Sequence, residues 1–320
     1  MCATCGCSDH KGVTLALDMH EHVHADGTRH SHAHAHSHAH DSAGGRLEGI
    51  SYMPLRDADR SRVPQARLAT SHAHPHSMVG GMDTHTVVLE AQILGKNQAI
   101  AERNRGWLTA RGILALNLVS SPGSGKTTLL ERTINDVKAE HTLSVIEGDQ
   151  ATSNDAQRIR ATGVPAVQIN TGTGCHLEAD MLERALALLG PRPGSVLMIE
   201  NVGNLVCPAL FDLGERAKVV IFSVTEGEDK PLKYPHMFRA AKVLVLTKTD
   251  LLPHVRFDMA RAVANALEVN PALEVFQVSA YTGEGLECWY AWLRSELALC
   301  AGNGNSAANA AMESESSSLA

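Results

Sequence analysis

Apolar residues along this chain fall in short unbroken runs, at Ile113–Val119, Leu143–Glu147, Ala166–Asn170, Val196–Glu200, Val219–Val224, Val243–Thr247 and Val275–Ser279. Runs this short and this uniformly apolar predict strands covered on both faces, the pattern of a parallel sheet. Between them the spacing turns helical. One helix is expected from Thr127 through Leu129, Leu130 and Ile134, and others over Cys175–Leu189 and Arg256–Val269. A further helix over Thr84–Trp107 offers Val88, Ala91, Ile93, Leu94 and Ile100 as an apolar stripe, broken by Gly95. The alternation predicts an α/β fold, a mainly parallel sheet with helices on both faces. Ligands of such sheets sit at the carboxyl ends of the strands.

The pattern divides the chain into three. Residues 1–82 hold most of the eighteen histidines among Gly, Ala, Ser and Asp, with little hydrophobic periodicity. They are expected to form a flexible Cys/His-rich metal-binding region that lacks a core in the absence of metal. Residues 83–300 form the nucleotide domain, and residues 301–320, rich in Ala, Ser and Glu, a disordered tail.

The first apolar run opens directly into Ser120-Ser121-Pro122-Gly123-Ser124-Gly125-Lys126-Thr127. Strand, Gly-rich turn and helix in this order make a P-loop, where backbone N–H groups and a helix N-terminus converge on phosphate. Gly123, Ser124, Gly125 and Thr128 belong to the phosphate cradle, Lys126 reaches the β- and γ-phosphates, and the Thr127 hydroxyl binds Mg²⁺. Ser120 stands where the pattern has its first glycine.

Two later strand ends select the base. In Thr247-Lys248-Thr249-Asp250 the carboxylate of Asp250 matches the N1–H and 2-amino donors of guanine, and Lys248 lies along the base plane. Thr247 replaces the usual Asn. Ser279-Ala280 backs the base from the other side. Two acids follow strands near the phosphates: Glu200, ahead of Asn201-Val202-Gly203, and Asp149. Glu200 orients Mg²⁺ or its water, Gly203 offers an N–H to the γ-phosphate, and Asp149 positions Mg²⁺ or the attacking water. A helix cap is the plainer role for Asp149. Lys126, Asp149 and Glu200 are the expected catalytic set, acting by electrostatic positioning.

Soft-metal chemistry is concentrated in two places. Cys2-x-x-Cys5-Gly6-Cys7 sets three thiolates beside the α-amino group, a donor set for square-planar Ni²⁺, with tetrahedral Zn²⁺ as competitor and a redox cluster as the bland alternative. His30, His32, His34, His36, His38 and His40 repeat at every second position, with further histidines upstream and downstream. They suit weak, exchangeable binding of several divalent ions, or else form a solvated linker. Cys175-His176, expected to open a helix, and Cys207 both follow strands that end at the nucleotide site. Buried free cysteine is the alternative there, and Cys288 and Cys300 read as structural.

Bulk properties exclude some classes. A net charge of −7 argues against a general nucleic-acid surface, and no run of 18 apolar residues marks a membrane span. Seven unevenly placed cysteines fit metal chemistry in a reducing compartment, with the cytoplasm as default.

Taken together, Cys2–Cys7, Ser120–Thr127, Glu147-Gly148-Asp149, Thr173-Gly174-Cys175-His176, Glu200–Pro208 and Glu226-Gly227-Glu228-Asp229-Lys230-Pro231-Leu232-Lys233-Tyr234-Pro235 resemble the HypB family, the hydrogenase maturation GTPases that assist nickel insertion. The resemblance implies a SIMIBI-type P-loop fold that forms a GTP-dependent homodimer. It implies a tight nickel site at Cys2, Cys5 and Cys7 and a weaker nickel or zinc site at Cys175, His176 and Cys207, at the dimer interface. It further implies nickel storage by the histidines, and as partners a HypA-type metallochaperone, the hydrogenase large-subunit precursor and a SlyD-type prolyl isomerase. A urease-type nickel GTPase, a metal buffer with an incidental GTPase and a small-molecule kinase are the rivals.

Overall fold

The computed structural model describes the backbone of residues 19–23, 29–33, 51–54, 84–150 and 154–318, with side chains over 91–150 and 154–302. Its centre is an eight-stranded sheet in the order β10-β9-β8-β4-β7-β5-β6-β3. The strands are β3 (Ser51–Pro54), β4 (Leu114–Ser120), β5 (Leu143–Asp149), β6 (Ala166–Asn170), β7 (Val196–Glu200), β8 (Ala217–Ser223), β9 (Val243–Thr247) and β10 (Glu274–Gln277). All pairings from β4 to β10 are parallel, and β3 adds antiparallel to β6. Every apolar run in the sequence therefore became a strand. β3 comes from the region assigned to metal binding. It carries Tyr52 and Met53 and ends in Pro54, a residue tolerated on an edge strand because it has no N–H to give. Two more short strands, β1 (Met19–Val23) and β2 (Arg29–Ala33), pair antiparallel with each other, with His20 opposite His32 and His22 opposite His30.

Side chains alternate across the sheet, and each face receives its own helices. Leu114, Leu116 and Leu118 of β4 pack with α2 (Lys126–Val137), α3 (Asn154–Ala161) and α9 (Leu286–Ser318). On the other face Ile113, Ala115, Leu197 and Ile199 meet α1 (Thr84–Ala110) and α4 (Ala179–Leu189). Val220, Phe222, Leu244 and Leu246 pack beside them with α7 (Pro235–Ala240) and α8 (Met259–Val269). Two one-turn helices, α5 (Cys207–Leu210) and α6 (Lys230–Lys233), complete the order. Among the described residues no helix is long and apolar enough to cross a membrane.

Three boundaries differ from expectation. α8 begins at Met259, not Arg256, because Asp258 caps it by accepting from the Arg261 N–H at 2.9 Å. The backbone of α9 continues as helix through 301–318, where composition predicts a flexible tail. Most important, Cys175 and His176 do not open α4. The backbone N–H groups of Leu177 and Ala179 are taken by the Asn201 and Asn97 side chains at 3.1 and 2.8 Å, which holds the segment out of helix until Ala179.

α1 supplies the clasp that places this segment. Asn104, almost fully buried, donates to the carbonyls of Ala179 and Leu213 at 2.8 and 3.0 Å, and Asn97 donates to that of Asp212 at 2.7 Å. Asn104→Ala leaves two buried carbonyls without their donor and is expected to cost about 1–3 kcal/mol, measured by chemical denaturation.

Candidate functional site

Ser120 closes β4, pairing in register with Ile221 of β8, so the residue that replaces the usual glycine lies in regular strand and needs no special backbone. The glycines that do need one are Gly123, with φ of 76°, and Gly125, with φ of 90° immediately before α2. Beyond it opens a cleft of about 510 Å³, lined among others by Thr128, Glu147, Asp149, Arg158, Gly203 and Lys248.

At its floor the carboxylate of Glu200, 1% exposed, accepts through Oε1 from Lys126 Nζ at 2.7 Å and from the Thr127 hydroxyl at 2.6 Å. The other oxygen, Oε2, is buried without a hydrogen-bond partner among the described residues. Glu147 lies in register beside Glu200 on β5, and its Oε2 is in the same condition. Burial, reinforced by the charges of Glu200 and Asp149 and opposed by Lys126, pushes the Glu147 carboxyl up to about 8. One hydroxyl and two carboxylates with buried oxygens to fill form a hard donor set that fits Mg²⁺, and Thr127, Glu200 and Glu147 would hold it. Asp149 ends β5 and accepts from the Gln150 N–H at 2.7 Å. It is not the cap of α3, which starts five residues later at Asn154.

Thr247 is bound into the P-loop: its hydroxyl donates to the Ser124 carbonyl at 2.6 Å. Lys248 Nζ donates to the Gly123 carbonyl at 2.7 Å from a left-handed backbone of φ 60°. Asp250 Oδ1 accepts from the Ser279 hydroxyl at 2.6 Å, and the Ala280 carbonyl accepts from Arg132 at 3.1 Å. Thr247, where the usual pattern has Asn, is thus tied with Lys248 to the P-loop, and Asp250 to Ser279. Gly203 packs so closely on Pro122 that an added Cβ would lie 3.3 Å from its backbone, which brings the loop after β7 against the P-loop.

Sequence reasoning missed a strap across the P-loop. Glu226 Oε1 accepts from the Ser124 hydroxyl at 2.7 Å, Lys230 Nζ donates to the Ser121 hydroxyl at 2.7 Å, and Glu226 and Lys230 are themselves paired. The i,i+4 spacing of opposite charges was the available signal. Arg158 was also missed; it reaches the cleft from α3, bonded to the Thr128 hydroxyl at 3.0 Å and to Glu131 at 2.7 Å.

The second cluster lies on the loops after β6 and β7. Cys175 Sγ is 3.0 Å from Cys207 Sγ and 3.5 Å from His176 Nδ1, and the three ligand atoms lie within 4.8 Å of one another. Cys207 is fully buried and His176 nearly so, its ring 4.0 Å from that of Phe211. Lys218, buried in β8, supports the Cys207 turn by donating to the carbonyls of Pro208 and Phe211 at 2.9 and 3.2 Å. Two ionisable thiols and an imidazole at this spacing suit a borderline divalent ion. Leu177 packs under Gly148, where a Cβ would meet its side chain at 2.7 Å, so this loop and the strand bearing Glu147 and Asp149 are in direct contact. Of the other cysteines Cys300 is buried and Cys288 exposed, so only the first fits a structural place. Cys2, Cys5, Cys7, His34, His36, His38 and His40 lie outside the described residues, and His30 and His32 are described only as backbone of β2.

Residues 114–277 match the family model described as the CobW/HypB/UreG nucleotide-binding domain. The hydrogenase maturation factor HypB of Rhizobium leguminosarum bv. viciae is 61% identical over 216 residues, 67% of this chain and 72% of that protein. This chain belongs to the HypB family. HypB of Escherichia coli K12 is 52% identical over 237 residues, covering 74% of this chain and 82% of its own. Among solved structures, HypB of Archaeoglobus fulgidus superposes with a TM-score of 0.60 at 40% identity, over 63% of this chain and 99% of that one. HypB of Helicobacter pylori in complex with nickel gives 0.59 at 39% identity, over 63% and 95%.

Two predictions follow from the cleft. Thr247→Val keeps the shape and removes the donor to Ser124, and should lower stability by about 1–3 kcal/mol in denaturant titrations. Glu147 holds a proton in the folded chain that the unfolded chain has released above its ordinary 4.5. Its stabilising contribution is complete below that value and is lost as pH rises through about 8. Glu147→Gln should flatten the fall in stability between pH 6 and 8.5, read as the difference between melting curves of variant and parent.

Proposed function

We propose that this protein is a GTP-hydrolysing nickel metallochaperone that delivers nickel for maturation of [NiFe]-hydrogenase. The observation that carries the proposal is the placement of Cys175, His176 and Cys207 on the loops that leave β6 and β7, next to strand ends that line the phosphate cleft. Kinship with HypB proteins, one of them crystallised with nickel, supports the metal and the client. Thr247, Lys248, Asp250 and Ser279, gathered against the P-loop, support guanine as the base.

In the proposed mechanism the chain's own residues do the positioning. Lys126 is aimed at the phosphates and Thr127 with Glu200 and Glu147 would hold Mg²⁺, which neutralises the charge of the phosphates when bound. Asp149 orients the attacking water, and Gly203 donates its N–H to the γ-phosphate. When Lys126 and Thr127 turn from Glu200 to nucleotide, the last residue of β7 changes partners immediately before the loop Asn201–Cys207. That loop carries one sulfur of the metal cluster, so hydrolysis changes the geometry offered to nickel. The Cys2, Cys5 and Cys7 site and the histidine segment belong to the same proposal as the tight site and the store, with zinc as the competing ion. A GTP-dependent homodimer, a HypA-type metallochaperone, the hydrogenase precursor, a SlyD-type prolyl isomerase and a cytoplasmic location complete it.

The deciding experiment titrates nickel into the protein bound to GDP and to a non-hydrolysable GTP analogue. A difference in affinity or stoichiometry at the Cys175–Cys207 site is expected, and equal values would remove the coupling. Lys126→Ala should reduce GTP hydrolysis to background while nickel binding by residues 1–82 persists, measured by phosphate release and metal analysis. Asp250→Asn should lose most of the preference for GTP over ATP in competition binding. Deletion of residues 20–76 should leave hydrogenase maturation intact at ample nickel; its loss there would favour the metal-buffer alternative.

A further inference from the structure

We propose that Glu178 is the positioning residue of the metal cluster: it holds the His176 ring so that Nδ1, with the sulfurs of Cys175 and Cys207, takes the metal ion while Nε2–H points to the carboxylate. The inference rests on the metal site proposed above and assigns its histidine donor. His176 Nδ1 lies 3.5 Å from Cys175 Sγ, whereas Nε2 lies 3.8 Å from Glu178 Oε1. The two nitrogens sit on different edges of the ring, so one edge faces the sulfurs and the other the carboxylate.

The backbone is fixed between the two. The chain bends at Cys175 and His176, Leu177 is fully buried with its N–H held by Asn201, and Glu178 follows in extended conformation, with φ of −110° and ψ of 160°. This anchored turn brings the His176 ring and the Glu178 carboxylate to 3.8 Å. Glu178 occupies the N-cap position of α4 but makes no cap bond, because Asn97 serves the Ala179 N–H instead. Phe211 limits the ring from its face. A small rotation of either side chain converts the 3.8 Å contact into a hydrogen bond. A carboxylate accepting from the second imidazole nitrogen fixes the tautomer and raises the basicity of the nitrogen that binds metal.

The test uses the full-length protein in which Cys2, Cys5 and Cys7 are replaced by Ser, so that thiolate bands report only the internal cluster. Co²⁺ and Ni²⁺ affinities are measured by chelator competition, with the cobalt thiolate and ligand-field bands as spectroscopic signature. Glu178→Ala is expected to weaken both metals about 10–100-fold. Glu178→Gln should restore part of the loss, since its amide oxygen still accepts, and both variants should show the parent's cobalt bands at saturation. Melting curves in chelator should match the parent, since the side chain caps no helix. Affinity within twofold of the parent in Glu178→Ala overturns the inference. Altered ligand-field bands at saturation also overturn it, by making the carboxylate a direct ligand. A parent without cobalt thiolate bands removes the metal site beneath it, which separates the two failures.

Discussion

Consecutive residues of an extended strand face opposite ways, and at the end of β7 this rule joins the two halves of the molecule. Glu200 turns into the phosphate cleft, to Lys126 and Thr127. Asn201, the next residue, turns the other way. Its Oδ1 accepts from the Leu177 and Val202 N–H groups at 3.1 and 2.9 Å, and its Nδ2 donates to Asn117 at 3.1 Å. One peptide unit therefore separates a grip on the nucleotide machinery from a grip on the loop that presents Cys175 and His176. Both side chains are 1% exposed, and neither has solvent to soften a displacement.

Around that point the electrostatics are those of a site built for a charged guest. Glu147, Glu200 and Asp149 crowd one end of the cleft, and Lys126 balances them only in part. The buried oxygens of Glu147 and Glu200 have a desolvation cost that a hard cation would relieve. The metal cluster has the opposite character, with sulfur, imidazole and an aromatic wall at Phe211. The hard and the soft donor sets thus differ in chemistry although they stand on neighbouring loops.

The strands were legible because burial on both faces writes continuous apolar runs, and each of those runs appears in the sheet. The P-loop was legible because glycine and lysine sit at fixed offsets from a strand end. The start of α4 was not, since the residues that stop it, Asn97 and Asn201, are remote in sequence and act through side chains. Lys218 was hidden for a similar reason. A lysine near the start of an apolar strand looks solvated, but here its ammonium is buried under α5 and satisfied by carbonyls and Glu215. The Glu226–Lys230 strap lies in a motif that was visible as unusual, although its task is defined only by Ser121 and Ser124 across the chain.

The hydroxyl of Thr247 has a thermodynamic consequence. By donating to the Ser124 carbonyl it makes the Thr247–Asp250 loop and the P-loop one mechanical element, with Lys248 as a second tie at Gly123. Substitutions in these two loops therefore share a partner, and their free energies should not sum. A double-mutant cycle across Thr247 and the P-loop would return a sizeable interaction energy.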